Sequence, residues 1–268
     1  MRSQKLRVVA VIVISLIMAA LRTVIVTFNM EKNLINNDTY YLPDNIEVTA
    51  FTAVSIMFLL VFLFSAITLG RKKSLHLERA HGAMPAASLV LAFSLIGAVL
   101  LYAVSLFGGN IEFSVIKLIL FLLAALSAVK FLVSGLCYNK KQSENVHAFA
   151  ALAPILFSAV RILSDFIDTS SAPLASSGAY HIVGLVAVLL YFFTEGKSYI
   201  HNTSAALFNS FGYTAIFFLL VYSVPNLVLH CFGSFSFDCE AAFSVVDLGL
   251  VVYIAARLSS AQIRESNG

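Results

Sequence analysis

The chain has 268 residues, of which 60% are hydrophobic and 12% are charged, and its mean hydropathy is +0.91. A soluble fold is excluded, because soluble domains carry about 25% charged residues and need them to cover their surface. The net charge of +3 does not indicate nucleic-acid binding, since the basic residues follow the gaps between apolar segments. We therefore expect membrane lipids around the chain and no nucleic-acid partner.

Eight apolar segments are long enough, or nearly so, to cross a bilayer core, which needs about 20 helical residues. Their residue ranges are 8–28, 48–69, 86–107, 114–137, 148–167, 178–195, 205–229 and 241–258. Their length and the lack of alternation with a period of two predict helices and not barrel strands. The predicted fold class is all-α, a polytopic transmembrane helix bundle with about eight spans.

The first segment has a second interpretation. Its basic start, its apolar run and Met18-Ala19-Ala20 also suit a cleaved secretory signal. The apolar run continues past Arg22 to Phe28, however, which favours an uncleaved first helix.

Lys and Arg residues are concentrated in every second gap between the segments. Twelve lie in the gaps on the N-terminal side, Lys32 is the one residue in the other gaps, and the remaining four of the seventeen lie inside spans. Because positively charged loops stay on the cytoplasmic side, this asymmetry places both termini in the cytoplasm. The expected location is the plasma membrane.

Three pairs of short segments recur in the same order along the chain. The matched pairs are 19–22 with 158–161, 68–76 with 194–201, and 114–120 with 244–250. They predict two four-helix halves, residues 1–138 and 139–268, that run in the same sense about an axis along the membrane normal. Chance similarity among apolar helices is the alternative.

Five charged residues lie inside the apolar segments, roughly 5 to 10 Å from their predicted outer ends. They are Arg22, Lys117, Arg161, Asp165 and Asp247. Asp165 follows Arg161 by one helical turn, so these two are expected to pair on one helix face. Asp247 then takes Arg22 or Lys117 as its partner, and one cation is left over. A surplus positive charge in a cavity of low dielectric constant favours an anionic ligand.

The alternative for these charges is structural. Arg and Lys side chains at this depth extend to the headgroups, and ion pairs lock helices together without binding anything. Lys130, which lies deeper in the fourth span, also has two interpretations. It pairs with Glu195, or it extends to the interface while Glu195 caps the sixth span.

Proline residues interrupt two of the predicted spans. Pro154 lies in the fifth, and Pro225, followed by Asn226, lies in the seventh. Each proline removes a helix hydrogen bond and frees a carbonyl group. The result is either a simple kink or, as in transporters, a backbone group that binds an ion.

No cofactor is expected from the sequence. The six His residues lie in the gaps or near the outer face, which does not suit haem, and no His or Cys spacing indicates a strong zinc site. Cys231 and Cys239 share the last outer loop, where they form a disulfide in an oxidising exterior or remain free thiols.

No motif in the chain specifies a reaction or a substrate. One class of function is a small transporter or permease-like protein for a small, anionic solute or a lipid headgroup. The repeat, the embedded charges and the two prolines indicate this class. The other class is a non-catalytic membrane subunit for assembly, sensing or immunity, whose partner is another protein. The small size and the short loops indicate that second class.

Overall fold

The computed structural model describes residues 2–36, 46–70, 73–76, 83–108, 114–137, 149–170, 176–200, 203–232 and 239–265. Eight helices follow one another within this part of the chain, close to the predicted positions. They are α1 (Arg2–Asn36), α2 (Ile46–Gly70), α3 (Met84–Phe107), α4 (Val115–Leu136), α5 (Leu152–Ser170), α6 (Ser176–Ser198), α7 (Ala205–Phe232) and α8 (Cys239–Ser260). The predicted all-α bundle is confirmed.

Six of these helices are long and apolar enough to cross a membrane, namely those numbered α1, α3, α4, α6, α7 and α8. The described side chains of α2 form a shorter apolar stretch, Thr49–Phe64. Helix α5 is less apolar because it carries Arg161, Asp165 and Asp168. The count of eight spans therefore stays a prediction.

The helices α3 to α8 form a closed ring. Each of them packs on the next in chain order, and α8 packs back on α3. Helices α1 and α2 both pack on α7, and α1 also touches α8. In the apolar windows of α6, α7 and α8, 56–67% of residues are buried, against 28–33% in α1, α3 and α4. The last three helices are therefore the core of the bundle.

Large apolar side chains face outward from the bundle. On α3, the exposed fractions of Phe107, Val104 and Phe93 are 90%, 69% and 64%. Contiguous apolar patches of this kind on a soluble monomer would drive association. A lipid environment solvates such side chains, and helices satisfy their own backbone polar groups as lipid requires.

Glycine residues let α3 approach its two neighbours closely. A Cβ atom on Gly249 of α8 would lie 2.6 Å from Ser94 Oγ and 3.3 Å from Leu91 Cα. A Cβ atom on Gly135 of α4 would lie 2.7 Å from Leu89 Cγ. Small residues at such contacts are how helices pack tightly in lipid, where burial from water does not drive them together.

A three-stranded antiparallel sheet joins one end of the bundle. Its strands are β1 (Lys73–His76), β2 (Thr203–Ser204) and β3 (Gln262–Glu265), in the order β2-β1-β3. Strand β1 pairs Leu75 with Thr203 on one side and with Ile263 on the other. The sequence did not predict this sheet, because segments of two to four residues carry no periodicity of their own.

The sheet relates four helix ends to one face. Strand β1 follows α2, β2 lies between α6 and α7, and β3 follows α8. These are three of the gaps that the charge asymmetry assigns to the cytoplasm, so the sheet groups them as that prediction requires. Which side of the membrane this face occupies stays a prediction.

The two predicted halves pack differently. Helix α6 lies along α7, and α1 lies along α7, whereas the pairs α2–α3 and α3–α5, their counterparts under a twofold axis, are not among the extensive contacts of the described residues. Within the described residues the helix contacts of the two halves are not equivalent, and the duplication of 1–138 in 139–268 stays a prediction.

Candidate functional site

Two of the most buried charged side chains in the described part of the chain form an ion pair between α5 and α8. Arg161 Nη1 donates to Asp247 Oδ1 at 2.5 Å, and Nη2 donates to Oδ2 at 3.0 Å. The side chains are 1% and 0% exposed. The planar guanidinium thus meets both carboxylate oxygens, which is the strongest geometry that such a pair adopts.

His181 of α6 joins this pair to a second carboxylate. Its Nδ1 lies 2.7 Å from Asp165 Oδ2, and its Nε2 lies 3.0 Å from Asp247 Oδ2. Arg161 Nη2 is also 3.0 Å from Nε2. The imidazole therefore contacts one cation and two anions, and its charge decides the balance among them.

Ser223 completes the group from α7. Its hydroxyl donates to Asp247 Oδ2 at 3.1 Å. The distal centre, defined as Arg161, Asp165, His181, Ser223 and Asp247, therefore joins the four consecutive helices α5 to α8. It lies away from the sheet, near the middle of α5 and α8 in their sequence.

Arg22 of α1, another of the five embedded charges, binds a carbonyl that proline leaves without its helical donor. Pro225 lies inside α7 and has no N–H for the carbonyl four residues earlier, which belongs to Val221. Arg22 Nη1 donates to that oxygen at 2.8 Å. The helix runs on through Pro225, so the freed carbonyl is satisfied by a cation and α7 remains continuous.

Aromatic rings connect Arg22 to the distal centre. Its guanidinium carbon lies 4.6 Å from the ring centroid of Tyr180 and 5.9 Å from that of Tyr222. The Tyr222 ring stacks on the His181 ring, with centroids 4.0 Å apart. A buried cation on aromatic faces gains about 2 kcal/mol.

The pairing predicted from sequence is wrong in its partners. Asp247 pairs with Arg161, not with Arg22 or Lys117, and Asp165 contacts His181. The long Arg161 side chain reaches across to α8 instead of turning back along its own helix. Lys117 lies half-buried at the start of α4, and no ion pair of it is found in the described part of the chain.

The predicted helix breaks have different outcomes. Pro154 is the third residue of α5, where its missing N–H has no helical partner to lose, so it does not interrupt the helix. Pro225 does lie in mid-helix, as expected. The neighbouring Asn226 side chain donates to Ser244 Oγ of α8 at 3.2 Å, which ties the two helices together.

The predicted disulfide is not supported at Cys231, which is a free, exposed thiol near the end of α7. The side chain of Cys239 lies outside the described residues. The alternative interpretation of free thiols therefore holds for Cys231.

A second buried charge centre lies near the sheet. Glu195 of α6 is 1% exposed, and its Oε1 accepts hydrogen bonds from Arg257 Nε at 3.0 Å and Tyr253 Oη at 2.9 Å. Tyr199 Oη lies 3.4 Å from the same oxygen and accepts from Arg257 Nη2 at 2.6 Å. Glu195 is thus a buried ion-pair partner and not the interfacial cap that the sequence allowed.

Lys130 of α4 faces this second centre through aromatic rings. Its Nζ lies 4.0 Å from the ring centroid of Phe131, 5.4 Å from Tyr253 and 5.5 Å from Phe192. The proximal centre, defined as Lys130, Tyr199, Glu195, Tyr253 and Arg257, therefore joins α4, α6 and α8. Burial raises the pKa of Tyr199 to about 12, so this phenol stays neutral and able to donate.

The two centres share α6 and α8. Along α6, His181 and Glu195 are fourteen residues apart, and along α8, Asp247 and Arg257 are ten apart. At 1.5 Å per residue these separations are about 21 and about 15 Å. Buried apolar residues such as Leu185, Val188 and Leu250 occupy the stretches between them.

Comparison with protein-family models, with curated proteins and with solved structures gives no match. The class of protein rests on the fold: a helical bundle with an apolar exterior, helices long enough to span a bilayer and charges buried inside. The chain is an integral membrane protein.

Proposed function

We propose that the chain is a small transporter that carries a small anion together with a proton, and that the distal centre binds both. The single observation behind the proposal is His181, whose two ring nitrogens contact both carboxylates and which also lies against Arg161. Ionisable groups inside membrane spans are costly, and they recur on ion pathways and in proton relays.

The charges of the distal centre, counted together with Arg22, explain why proton binding and anion binding are coupled. Two cations, Arg22 and Arg161, balance two carboxylates, Asp165 and Asp247, when His181 is neutral. A proton on His181 then leaves one surplus positive charge in a region of low dielectric constant. A small anion neutralises that charge, so proton and anion bind together and leave together.

The closed ring of α3 to α8 supplies the setting for such a site. Transporter sites lie between helices near the middle of the bilayer, where a proline-containing helix presents unbonded backbone groups. Here α7 continues through Pro225, Arg22 binds the carbonyl that Pro225 frees, and Ser223 of the same helix bonds Asp247. We place the sheet and both termini in the cytoplasm and the protein in the plasma membrane, from the distribution of Lys and Arg.

Uptake by reconstituted vesicles tests the proposal. Vesicles with an alkaline interior are mixed with labelled chloride, acetate, lactate or inorganic phosphate, and internal label is counted with and without the proton gradient. We expect gradient-driven accumulation of at least one of these anions. His181→Asn and Asp247→Asn abolish it, whereas Lys117→Met, which removes a cation of α4 outside the centre, leaves it unchanged.

The second candidate function is the non-catalytic membrane subunit. The observation that favours it is the complete bonding of Asp247, whose two oxygens accept from Arg161 and Ser223 and contact His181. A purely structural role for Asp247 requires no ligand beyond these contacts. Folded wild-type protein that moves none of the four anions, with or without a gradient, overturns the transporter and leaves this candidate.

A further inference from the structure

The two carboxylate oxygens of Glu195 are treated differently by the fold. Oε1 receives donors from Arg257, Tyr253 and Tyr199. Oε2 is fully buried and has no hydrogen-bond partner in the described part of the chain. An unsatisfied buried carboxylate oxygen costs more than a neutral group, so such an atom in a native structure calls for a missing donor.

A second polar atom without a partner lies one turn earlier on the same helix. Tyr191 is fully buried, and its hydroxyl has no hydrogen-bond partner among the described residues. Residues four apart face the same side of a helix, so Tyr191 and Glu195 present an unused donor and an unused acceptor together.

Lys130 adds a cation whose ammonium lies against aromatic rings. Its ammonium contacts the rings of Phe131, Phe192 and Tyr253, and no ion pair of it is found in the described part of the chain. The Tyr253 hydroxyl bonds Glu195, so one aromatic residue links the two charged groups. Because Arg257 neutralises Glu195, Lys130 leaves the proximal centre with one surplus positive charge.

We infer that the proximal centre binds a small oxyanion that carries its own O–H group, of the hydrogen-phosphate or bicarbonate type. The negative oxygens of such a ligand accept from Lys130 and Tyr191, and its O–H donates to Glu195 Oε2. This inference rests on the proposed function, since it names the anion class along the same bundle, about 15 to 21 Å from the distal centre.

The donor and acceptor pattern predicts selectivity between two anions of equal shape. Near neutral pH inorganic phosphate keeps at least one O–H, whereas sulfate has none. Sulfate would therefore set an oxygen lone pair against Glu195 Oε2, a repulsive contact between two acceptors. Both anions also strengthen burial in general by exclusion from protein surfaces, so sulfate is a matched control for that non-specific effect.

Thermal unfolding of the full chain in detergent tests the inference. Wild type is titrated with inorganic phosphate or with sulfate at equal ionic strength, and the rise in Tm with concentration gives an apparent Kd. We expect phosphate to raise Tm more than sulfate does, with the rise in sulfate giving the non-specific part. Lys130→Met should weaken phosphate binding by about tenfold or more, as loss of a charged donor implies. Lys117→Met, on the same helix, should bind phosphate as wild type does.

Where Glu195→Gln folds, it gives an independent readout. Its amide donates a hydrogen bond to an anion oxygen, so stabilisation by sulfate should increase relative to stabilisation by phosphate. Equal stabilisation by the two anions, or unchanged phosphate binding in Lys130→Met, overturns the proposed anion site. If phosphate binding depends on Lys130 but the protein transports no anion, the transporter proposal is refuted and the anion site is supported.

Discussion

The distal and proximal centres are built on the same two helices but are completed to different degrees. Asp247 has both oxygens engaged, and the groups around it come from three other helices. Glu195 has one oxygen crowded with donors and one without a partner in the part of the chain described. The same bundle therefore holds one buried carboxylate with both oxygens bonded and another with only one oxygen bonded.

Residue chemistry explains the contrast. Around Asp247, Arg161 presents several N–H groups in a plane, and His181 and Ser223 add further polar contacts. Around Glu195 the neighbours are mainly aromatic, and Tyr residues donate one hydrogen each. Saturation favours a rigid lock or a site that opens only with protonation, whereas an unsatisfied oxygen favours a ligand.

The largest effect is expected at the saturated centre. Asp247→Asn leaves Arg161 as an uncompensated buried charge, which costs about 3 to 5 kcal/mol. A second change, Arg161→Met, should recover part of this loss, whereas Arg22→Met and Lys117→Met should not. Unfolding of the wild type, the four single variants and the three double variants in detergent gives the coupling free energies. Near-zero coupling between Asp247 and Arg161 would remove the distal centre as an energetic unit.

A smaller loss is expected at the proximal centre. Glu195→Gln keeps one acceptor for Tyr253 and Arg257 but removes the charge, which lowers the free energy of unfolding by about 1.5 to 3 kcal/mol. The free energy of unfolding in detergent, set beside that of Asp247→Asn, checks the order. A greater loss for Glu195→Gln than for Asp247→Asn would reverse the comparison between saturated and half-open sites.

The link between α1 and α7 should contribute less again. Pro225→Ala restores an N–H donor for the Val221 carbonyl, which competes with Arg22 for that oxygen. Arg22→Met should therefore cost about 1 kcal/mol less in the Pro225→Ala background than in wild type. A double-mutant cycle measures this difference, and strict additivity would show that the Val221 carbonyl contributes nothing to holding Arg22.

The last expected effect appears only at alkaline pH, at the proximal centre. The pKa of Tyr199 is raised to about 12 by burial, above the value of about 10 expected when unfolded. Its neutral form therefore adds stability that is fully present below about pH 10 and is lost as the pH rises through about 12. Wild type should lose this component between these pH values, and Tyr199→Phe should lack it. Parallel pH profiles of the two proteins would contradict the assignment.

Much of the fold could be predicted from the sequence because lipid imposes a simple rule. A spanning helix needs a continuous apolar run, and the runs from 8–28 to 241–258 lie within or close to the helices found. The sheet could not be predicted, since Leu75 pairs with residues 203 and 263, and short segments carry no signal of distant pairing.

The embedded charges could be found in the sequence, but their partners could not. Which carboxylate meets Arg161 depends on which helices are neighbours and on the direction of each side chain, and neither follows from spacing along one helix. His181 was assigned near the outer face with other histidines, because nothing local marks it as the group between Asp165 and Asp247. The missing donor at Glu195 Oε2 can be recognised only when the hydrogen bonds of the surrounding described residues are known.

The sheet also sets an order of assembly. Leu75 and Ile263, which pair in it, are 188 positions apart in sequence. Strand β1 must wait until β3 has been synthesised, and only its two pairs with β2 are available before that. Closing so long a loop carries an entropic cost, and the intervening helices, already inserted, reduce the freedom that the sheet removes. Closure of the sheet is thus a late event in folding, and it marks a bundle whose helices from α2 to α8 have all taken their places.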